Sequence, residues 1–459
     1  MTMSAQRFRP LARRAACAAF VASIVLTATA HPVGAASPDF GTPSAVSSFG
    51  NSVTFTQPYS GPAFTSAEIA LTWPGAIGPA ITQLPTQSPT RLQFKLDASA
   101  GQLLPNTKIG AQFDVTLADG MVEVGPTVGV TYTDTRFTWQ TVSGGPVSIH
   151  YYSGGSSFGQ QLASIAQQGL TKSASFMGIT ETQPVDFFVY GDQKSFLDAM
   201  GPATTGDVGG EAFPGMRTNF AVIAVGDLSY AQSVIPHELT HVVFADAIKN
   251  PYHEPLNWLN EGTAVYLSDG FGNQDRARVS QAVASGTLMP LAALTGAFPR
   301  ITARFYLAYA EAVSAVDFMV RTYGQSDVAK LLSAYRTGAT DDEAFQSALG
   351  VDTSAFDKAW LASNGVDSSK SFGPQPAPTG PVPPGWGSSA SGAVPTPSPS
   401  EVAIVTTPAP GGSSQPAGDT ANPNATLEAL GVAGIYSAIA LVLLITGVII
   451  RRRSQGGAP

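Results

Sequence analysis

Residues 233 to 267, SVIPHELTHVVFADAIKNPYHEPLNWLNEGTAVYL, hold the side chains of this chain best suited to chemistry. His237 and His241 lie four residues apart, so on a helix their imidazoles face the same side and can bind one cation. Glu238 is turned towards the place of a metal-bound water, whose proton a carboxylate can accept as the water attacks a carbonyl. The spacing therefore predicts a helix with two zinc ligands and a general base.

A catalytic zinc site needs a third protein ligand and an open position, and the same stretch offers three candidates. His253 and Glu254 lie in NPYHEP, a proline-bounded loop that is poorly suited to rigid coordination. Glu261 lies in NWLNEGTAVYL, which predicts a second helix, and its carboxylate suits a set of two histidines and one glutamate. A histidine ten residues after the first is excluded as the third ligand, because Ala247 holds that position.

The beginning of the first helix is predicted from Ser233 and Pro236. Proline is tolerated in a first turn, and serine is a favourable N-cap, so the helix is expected to begin between these residues. Val242, Val243 and Phe244 then supply the apolar backing that a buried metal site requires. A solvated helix with a local His/Glu pair is the structural alternative.

Both ends of the chain have non-globular composition. Residues 1–36 combine four arginines, a short apolar run and small residues, the order of a secretory signal peptide. Residues 371–426 are rich in Pro, Ser, Gly and Thr and predict a disordered linker. Residues 427–450 end in an uncharged run long enough to cross a bilayer, and the three arginines of 451–459 predict a cytoplasmic tail. We therefore expect a single-pass membrane protein of a bacterial cell surface, with its body outside.

Charge and cysteine content narrow the classes of partner. Without the seven arginines of the two ends, 17 basic residues face 32 acidic ones, which gives a formal charge of −15. So acidic a surface argues against nucleic acid as a partner. The single cysteine, Cys17, lies in the predicted signal peptide, so the exported part is expected to contain no disulfide.

The body of the chain divides into two predicted domains. Residues 38–145 contain short β-rich runs separated by Gly, Pro and Ser, and the alternation of apolar and polar residues predicts an N-terminal β-sandwich. Residues 146–370 begin with strands and a helix and become largely helical after about residue 230, which predicts an α+β domain. Thr340 and Glu343 form a predicted capping box in this second domain, and Gly350 is expected to end that helix.

HELTH followed by WLNEGTAVY resembles the gluzincin zinc metallopeptidases, and most closely the peptidase MA-like family. The resemblance covers roughly residues 146 to 362 and implies a metallopeptidase domain that uses Zn²⁺. It implies that His237, His241 and Glu261 bind the metal. It also implies that Glu238 is the catalytic base.

The resemblance further implies a tyrosine on a later helix that stabilises the oxyanion. Tyr309 in YLAYAEAVSAVDFMV matches this role, with Tyr306 as the alternative. The chain departs from the thermolysin pattern where an acid orients the second histidine: Ala245 holds that position and Asp246 follows it. FPGMRTNF offers Arg217 where an aminopeptidase needs an acid for the substrate's amine, so aminopeptidase activity is disfavoured.

These observations lead to two hypotheses of function. The first is a membrane-anchored, outward-facing zinc metallopeptidase that cleaves peptides or proteins, as an endopeptidase whose edge strand NFAVIAV (219–225) pairs with an extended substrate. The alternative is a catalytically silent surface-binding or assembly protein with a structural zinc site. A related possibility is that the β-domain is a prodomain, in which case the mature chain begins near residue 146.

Overall fold

The computed structural model describes residues 37–367, apart from 77, 86, 102, 203, 205–207, 251–252 and 300. The predicted signal peptide, linker, membrane helix and tail therefore lie outside the described residues. Within the described part, no helix combines the length and apolar character needed to span a membrane.

The N-terminal domain is built from two antiparallel sheets. Its strands are β1 (Asp39–Phe40), β2 (Ser44–Ser48), β3 (Ser52–Ser60), β4 (Phe64–Thr72), β5 (Ala80–Gln83), β6 (Arg91–Asp97), β7 (Thr107–Leu117), β8 (Val122–Val124) and β9 (Val128–Tyr132). In one sheet, β3 pairs with β1, β2 and β6; in the other, β7 pairs with β4, β8 and β9, and β5 continues beyond β4. Alternate residues such as Phe55 and Phe113 fill one shared core, in agreement with the predicted β-sandwich.

A mixed five-stranded sheet begins the second domain. Its strands are β10 (Gln140–Gly144), β11 (Val147–Tyr151), β12 (Val185–Tyr190), β13 (Gly210–Phe213) and β14 (Thr218–Val222), and they lie in the order β10-β11-β12-β14-β13. The strand β10 forms a hairpin with β11, so this domain has begun by residue 140 and does not start at the predicted 146. The segment NFAVIAV was predicted to be an edge strand, and that prediction is wrong. It forms most of β14, which pairs with a neighbour on each side, and the edge strand is β13.

Helices make up the rest of the second domain. They are α1 (Gly155–Met177), α2 (Gln193–Met200), α3 (Leu228–Ile248), α4 (Asn257–Ser268), α5 (Asn273–Ser285), α6 (Thr302–Tyr323), α7 (Gln325–Arg336), α8 (Asp341–Leu349) and α9 (Thr353–Ser363). The capping box of Thr340 and Glu343 is present and Gly350 ends α8, as predicted.

The motif helix α3 begins earlier than its sequence indicated. Asp227 caps it by accepting a hydrogen bond from the backbone N–H of Tyr230, and Pro236 lies inside the helix. The prediction of a start at Ser233 is therefore wrong. A Cβ on Gly169 of α1 would lie 2.9 Å from Pro236 Cβ, so glycine lets α1 cross α3 closely at the proline.

The five-stranded sheet is covered on both faces. On one face, Ile149 and Phe187 belong to an apolar cluster that also contains Leu162 of α1 and Val234 of α3. The other face carries a separate apolar cluster of residues from β12, α2 and β14: Phe188, Phe196 and Phe220 are members, and Phe49 and Leu104 of the β-sandwich pack against it. The two domains therefore share apolar packing through this sheet.

Candidate metal centre and active site

The two helices α3 and α4 supply the predicted ligands. His237 and His241 lie one turn apart on α3, with ring centroids 4.9 Å apart. Glu261 reaches them from α4, which packs against both α3 and α6. A Cβ on Gly262 would lie 2.6 Å from the carbonyl carbon of Ala312 in α6, so glycine after the ligand allows α4 and α6 to approach closely.

The ligand atoms converge on one point. His237 Nε2 lies 3.6 Å and His241 Nε2 3.7 Å from Glu261 Oε2, and one ligand atom from each residue lies within 4.8 Å of the others. Ligands about 2.1 Å from a tetrahedral zinc ion lie about 3.4 Å from one another. The spacing therefore fits the set of two histidines and one glutamate that the sequence predicts.

Burial gives a second test of the fit to a metal. All three side chains are almost completely buried, and in the described part of the chain neither imidazole Nε2 nor Glu261 Oε2 has a hydrogen-bond partner. Buried polar atoms without partners are costly, and a cation between them would satisfy all three at once. The three atoms that face one another are all unpartnered, so the residues fit a bound zinc ion.

Asn260 orients the second ligand. His241 Nδ1 lies 2.9 Å from Asn260 Oδ1, and donation of the Nδ1 proton to this oxygen leaves the lone pair of Nε2 free for a metal. Sequence reasoning considered only Ala245 and Asp246 for this task and missed Asn260. The available signal was its place immediately before Glu261, on the same turn of the same helix.

Burial changes the protonation of the site. It lowers the pKa of His237 to about 4, which keeps the imidazole neutral and able to bind metal at neutral pH. It raises the pKa of Glu261 to about 7. Burial, with the charges of Glu261 and Glu211, also raises the pKa of Glu238 well above its ordinary value. A bound dication would stabilise the ionised form of each carboxylate.

Tyr309 lies at this site, within reach of the charges of Glu261 and Glu238. Tyr309 is buried, and its pKa is raised well above the ordinary value, first by burial and then by the charges of Glu261 and Glu238. Phe298 and Phe305 hold its ring edge-on, with centroids 5.0 and 5.2 Å away. Tyr306, in contrast, is partly exposed and lies under the guanidinium of Arg278.

Residues 165–364 match the family model of the peptidase MA superfamily. This segment belongs to that superfamily. The matched range contains all three converging ligand residues and the helix α6 that carries Tyr309. The matched segment is therefore a zinc metallopeptidase domain of the peptidase MA type, which agrees with the gluzincin resemblance of its sequence.

Comparison with solved structures gives matches at low identity. An aminopeptidase N family protein from Idiomarina loihiensis is 11% identical, with a TM-score of 0.38, over 68% of this chain and 74% of that one. An M1 zinc metallopeptidase from Deinococcus radiodurans is 13% identical, with a TM-score of 0.35, over 75% of this chain and 98% of that one. Among curated proteins, none matches. The family assignment rests on the sequence match and on the ligand geometry.

The other candidate ligands of the peptidase domain lie elsewhere. His253 Nε2 lies 3.0 Å from Asp341 Oδ1, and its ring stacks on Tyr335. Glu254 is exposed. Neither His253 nor Glu254 belongs to the cluster formed with Glu261 among the described residues.

Arg217 is likewise turned away from the metal cluster. It occupies a left-handed position in the turn between β13 and β14, and it pairs with Glu181 and Asp246. The strand that packs beside α3 is β13, and its acidic residue is Glu211. Its carboxylate is 1% exposed and accepts a hydrogen bond of 2.6 Å from the hydroxyl of Thr204. The comparison of Arg217 with an amine-binding acid was therefore made at the wrong position.

The edge strand β13 passes directly over Glu238, the predicted catalytic base. A Cβ on Gly210 would lie 2.5 Å from Glu238 Oε1 and 2.9 Å from Val234 Cγ2. Only glycine leaves room for the carboxylate this close to the strand. Sequence reasoning did not single out Gly210, although the pair Gly209-Gly210 marked a place of close backbone approach.

Proposed function

We propose that this protein is an exported zinc endopeptidase, anchored in the membrane with its catalytic domain outside. The observation that carries the peptidase mechanism is the buried convergence of His237, His241 and Glu261 beside Glu238 and Tyr309. Export and anchoring are supported by the sequence alone, through the predicted signal peptide and membrane helix.

The side chains of the site divide the chemistry among them. His237, His241 and Glu261 would hold Zn²⁺, which supplies a Lewis acid to a water molecule and to the scissile carbonyl. Glu238 accepts the proton of the attacking water and delivers it to the amide nitrogen of the leaving product. Tyr309 donates a hydrogen bond from its hydroxyl to the oxyanion that develops from the carbonyl oxygen.

The edge strand β13 supports the proposal of an extended substrate. It pairs with β14 on one side, and its other edge offers backbone N–H and C=O groups to a peptide strand. Gly210 brings this edge close to Glu238, so a peptide paired with β13 would carry its backbone past the catalytic base.

Endopeptidase action is favoured because Glu211, the acidic residue of the edge strand β13, already accepts a hydrogen bond from Thr204. Glu211 alternates with Gly210 along β13, so its side chain leaves the strand on the side opposite Gly210, although its charge still raises the pKa of Glu238. Its register partner is Phe220, a member of the apolar cluster on that face. A carboxylate buried there against Thr204 is poorly placed to hold the free amine of a substrate.

The decisive experiment combines zinc content with peptide hydrolysis. We expect Glu238→Gln to retain zinc and to lose about 10²- to 10⁴-fold in kcat. Tyr309→Phe is expected to lose about 10²- to 10³-fold in kcat, whereas Tyr306→Phe serves as its matched control and keeps wild-type kinetics. Undiminished hydrolysis by Glu238→Gln would refute the mechanism. Bound zinc without hydrolysis of any peptide by the wild type would favour the binding-protein alternative.

Peptides with blocked termini distinguish endopeptidase action from aminopeptidase action. An endopeptidase cleaves peptides that are acetylated at the N-terminus and amidated at the C-terminus, because no contact to a free terminus is needed. We expect such doubly blocked peptides to be cleaved at internal bonds, as identified by mass spectrometry. Release of single residues from free N-termini, with blocked peptides left intact, would show aminopeptidase action instead.

A further inference from the structure

The β-sandwich touches the second domain on both sides of the edge strand. The segment from Gly201, at the end of α2, to Thr218, at the beginning of β14, contains β13 between its two ends. Gly101, between β6 and β7, lies against Gly201, and Gly75, between β4 and β5, lies against Gly215. The strand over Glu238 is thus flanked by two glycine-to-glycine contacts between domains.

The first contact leaves no room for a side chain. A Cβ on Gly201 would lie 2.6 Å from the carbonyl oxygen and 2.7 Å from the Cα of Gly101. Gly201 has φ 82° and ψ −172°, a conformation open to glycine and strained for other residues. Backbone therefore meets backbone at the end where the chain leaves α2 towards β13.

The second contact fixes the turn that follows β13. A Cβ on Gly75 would lie 3.0 Å from the Cα and 3.1 Å from the carbonyl oxygen of Gly215. Next to it, the Thr107 hydroxyl contacts Met216 Sδ at 3.7 Å, and Asn106 Nδ2 lies 3.4 Å from Thr218 Oγ1. The β-sandwich therefore reaches the turn through two of its loops.

We propose that the β-sandwich positions the substrate-pairing strand over the catalytic base, through Gly101 and Gly75. The strand β13 has four residues and, among the described strands, pairs only with β14, so four residue pairs hold it to the sheet. The contact at Gly215 lies two residues after β13 and the contact at Gly201 lies nine residues before it, so both hold the segment that carries the strand and restrict its movement towards or away from Glu238. These glycines act on substrate through β13 and are positioning residues. The inference rests on the proposed function, because it takes an extended peptide as the ligand of β13.

The test adds a side chain at Gly75, on the β-sandwich side of the second contact. The same substitution at a matched glycine outside the contact is the control. Asn tolerates positive φ better than most residues, so Gly75→Asn adds a side chain at φ 84° with less backbone strain than other substitutions would cause. Gly120 has φ 86° in the same domain and nothing within 4 Å of an added Cβ, so Gly120→Asn is the control. Both variants are made in the zinc-loaded Glu238→Gln protein, and the Kd of a blocked octapeptide is measured.

We expect Gly75→Asn to raise the Kd of the octapeptide about tenfold over Gly120→Asn, the effect of losing one or two strand hydrogen bonds. Zinc content should stay equal, since the ligands lie on α3 and α4. With Glu238 restored, the same change should appear in KM more than in kcat. Equal Kd values for the two variants would overturn the proposal.

A second pair of variants tests the other contact and guards against misfolding of the first. Gly201→Ala places a methyl group against Gly101, whereas Gly324→Ala, at φ 89° and ψ 155° with open space around it, imposes similar backbone strain elsewhere. Faster hydrogen exchange across residues 210–213 in Gly201→Ala alone supports the proposal, and equal exchange in both variants contradicts it. Absence of hydrolysis by the wild type would refute the endopeptidase function, while the octapeptide Kd and the exchange rates still decide the role of the glycines.

Discussion

The two predicted ligand histidines differ in the hydrogen bonding of their Nδ1 atoms. His241 Nδ1 meets Asn260, whereas His237 Nδ1 has no hydrogen-bond partner among the described residues. A carboxamide next to the ligand Glu261 on α4 thus fixes the ring on α3. One residue of α4 supplies a ligand and its neighbour orients another, which makes this turn central to the metal site.

Removal of Asn260 is therefore expected to weaken zinc binding. Asn260→Ala should lower zinc affinity about 10- to 100-fold, because His241 loses the acceptor that sets its tautomer and orientation. Asn260→Asp keeps an oxygen acceptor and should restore most of the affinity. Competition with a chromophoric chelator measures the effect, and Asn273→Ala, at an exposed position on α5, is the control. Equal affinity in Asn260→Ala and the control would remove Asn260 from the metal site.

Glu311 gives a prediction about stability and pH. It is buried, its Oε1 accepts the backbone N–H of Met289, and burial raises its pKa from 4.5 to about 9. Below about pH 4.5 the carboxyl is protonated in both the folded and the unfolded chain. Between the two values only the unfolded chain releases the proton, so the free energy of unfolding falls by up to about 1.4 kcal/mol per pH unit.

Glu311→Gln keeps the acceptor for Met289 and removes this titration. We expect the variant to exceed the wild type in free energy of unfolding by about 3 kcal/mol at pH 7 and to differ little at pH 4. Urea denaturation at both pH values measures the difference. A gain of the same size at pH 4 and pH 7 would show that packing and not ionisation is responsible.

At the scale of elements, the close crossing of α4 and α6 joins the metal ligands to Tyr309. The crossing depends on Gly262, because a Cβ there would lie 2.6 Å from the Ala312 carbonyl carbon and 3.0 Å from Val316 Cγ2. The motif NEG therefore combines an orienting amide, a ligand and a helix contact in three consecutive residues. Its glycine serves the packing of α4 against α6.

Gly262→Ala is expected to force α4 and α6 apart. Overpacking of this kind costs about 1–3 kcal/mol in free energy of unfolding. The same movement would separate Glu261 from Tyr309, so kcat should fall more than the loss of folded protein explains. Urea denaturation and initial rates test this, with Gly296→Ala as the control because an added Cβ there has nothing within 4 Å. Wild-type kinetics in Gly262→Ala would contradict the account.

The sequence predicted those elements whose information is local. His237, Glu238 and His241 lie within one turn and a half of helix, and the alternation of Leu92 and Leu96 with polar residues identified a strand. The beginning of α3 was missed because Pro236 was taken as a first-turn signal, while two further turns precede it.

Other elements depend on contacts that a linear pattern does not contain. The edge strand β13 reads GEAF, with no β-branched residue, and is held by pairing with β14. The strand β10 was assigned to the wrong domain because it follows the β-sandwich in sequence and pairs with β11 in space. Asn260 became visible as an orienting residue only when α3 and α4 were seen side by side.

At the scale of the whole molecule, the β-sandwich is unsuited to be a removable prodomain. Its residues Phe49 and Leu104 pack against the apolar cluster on the peptidase sheet, and the guanidinium of Arg136 lies 4.9 Å from the ring of Phe49. Tyr190 of β12 donates a hydrogen bond of 3.0 Å to the buried Asp134. Removal of residues 37–139 would expose this cluster to solvent.

We therefore expect the protein isolated from cells to keep its β-sandwich. Intact-mass spectrometry of active protein should place the new N-terminus near residue 37, after cleavage of the predicted signal peptide. An active species that begins near residue 146 would contradict this expectation. Such a species would also lack β10, the strand at one end of the peptidase sheet.

The paired glycines have a consequence for how such proteins can be recombined. At Gly101 with Gly201, and at Gly75 with Gly215, each domain presents bare backbone to the other. A chimera that exchanges the β-sandwich for a homologous one must therefore preserve small residues on both sides of both contacts, even if each domain folds well by itself. We therefore expect the two domains to be exchanged successfully only together, as one unit.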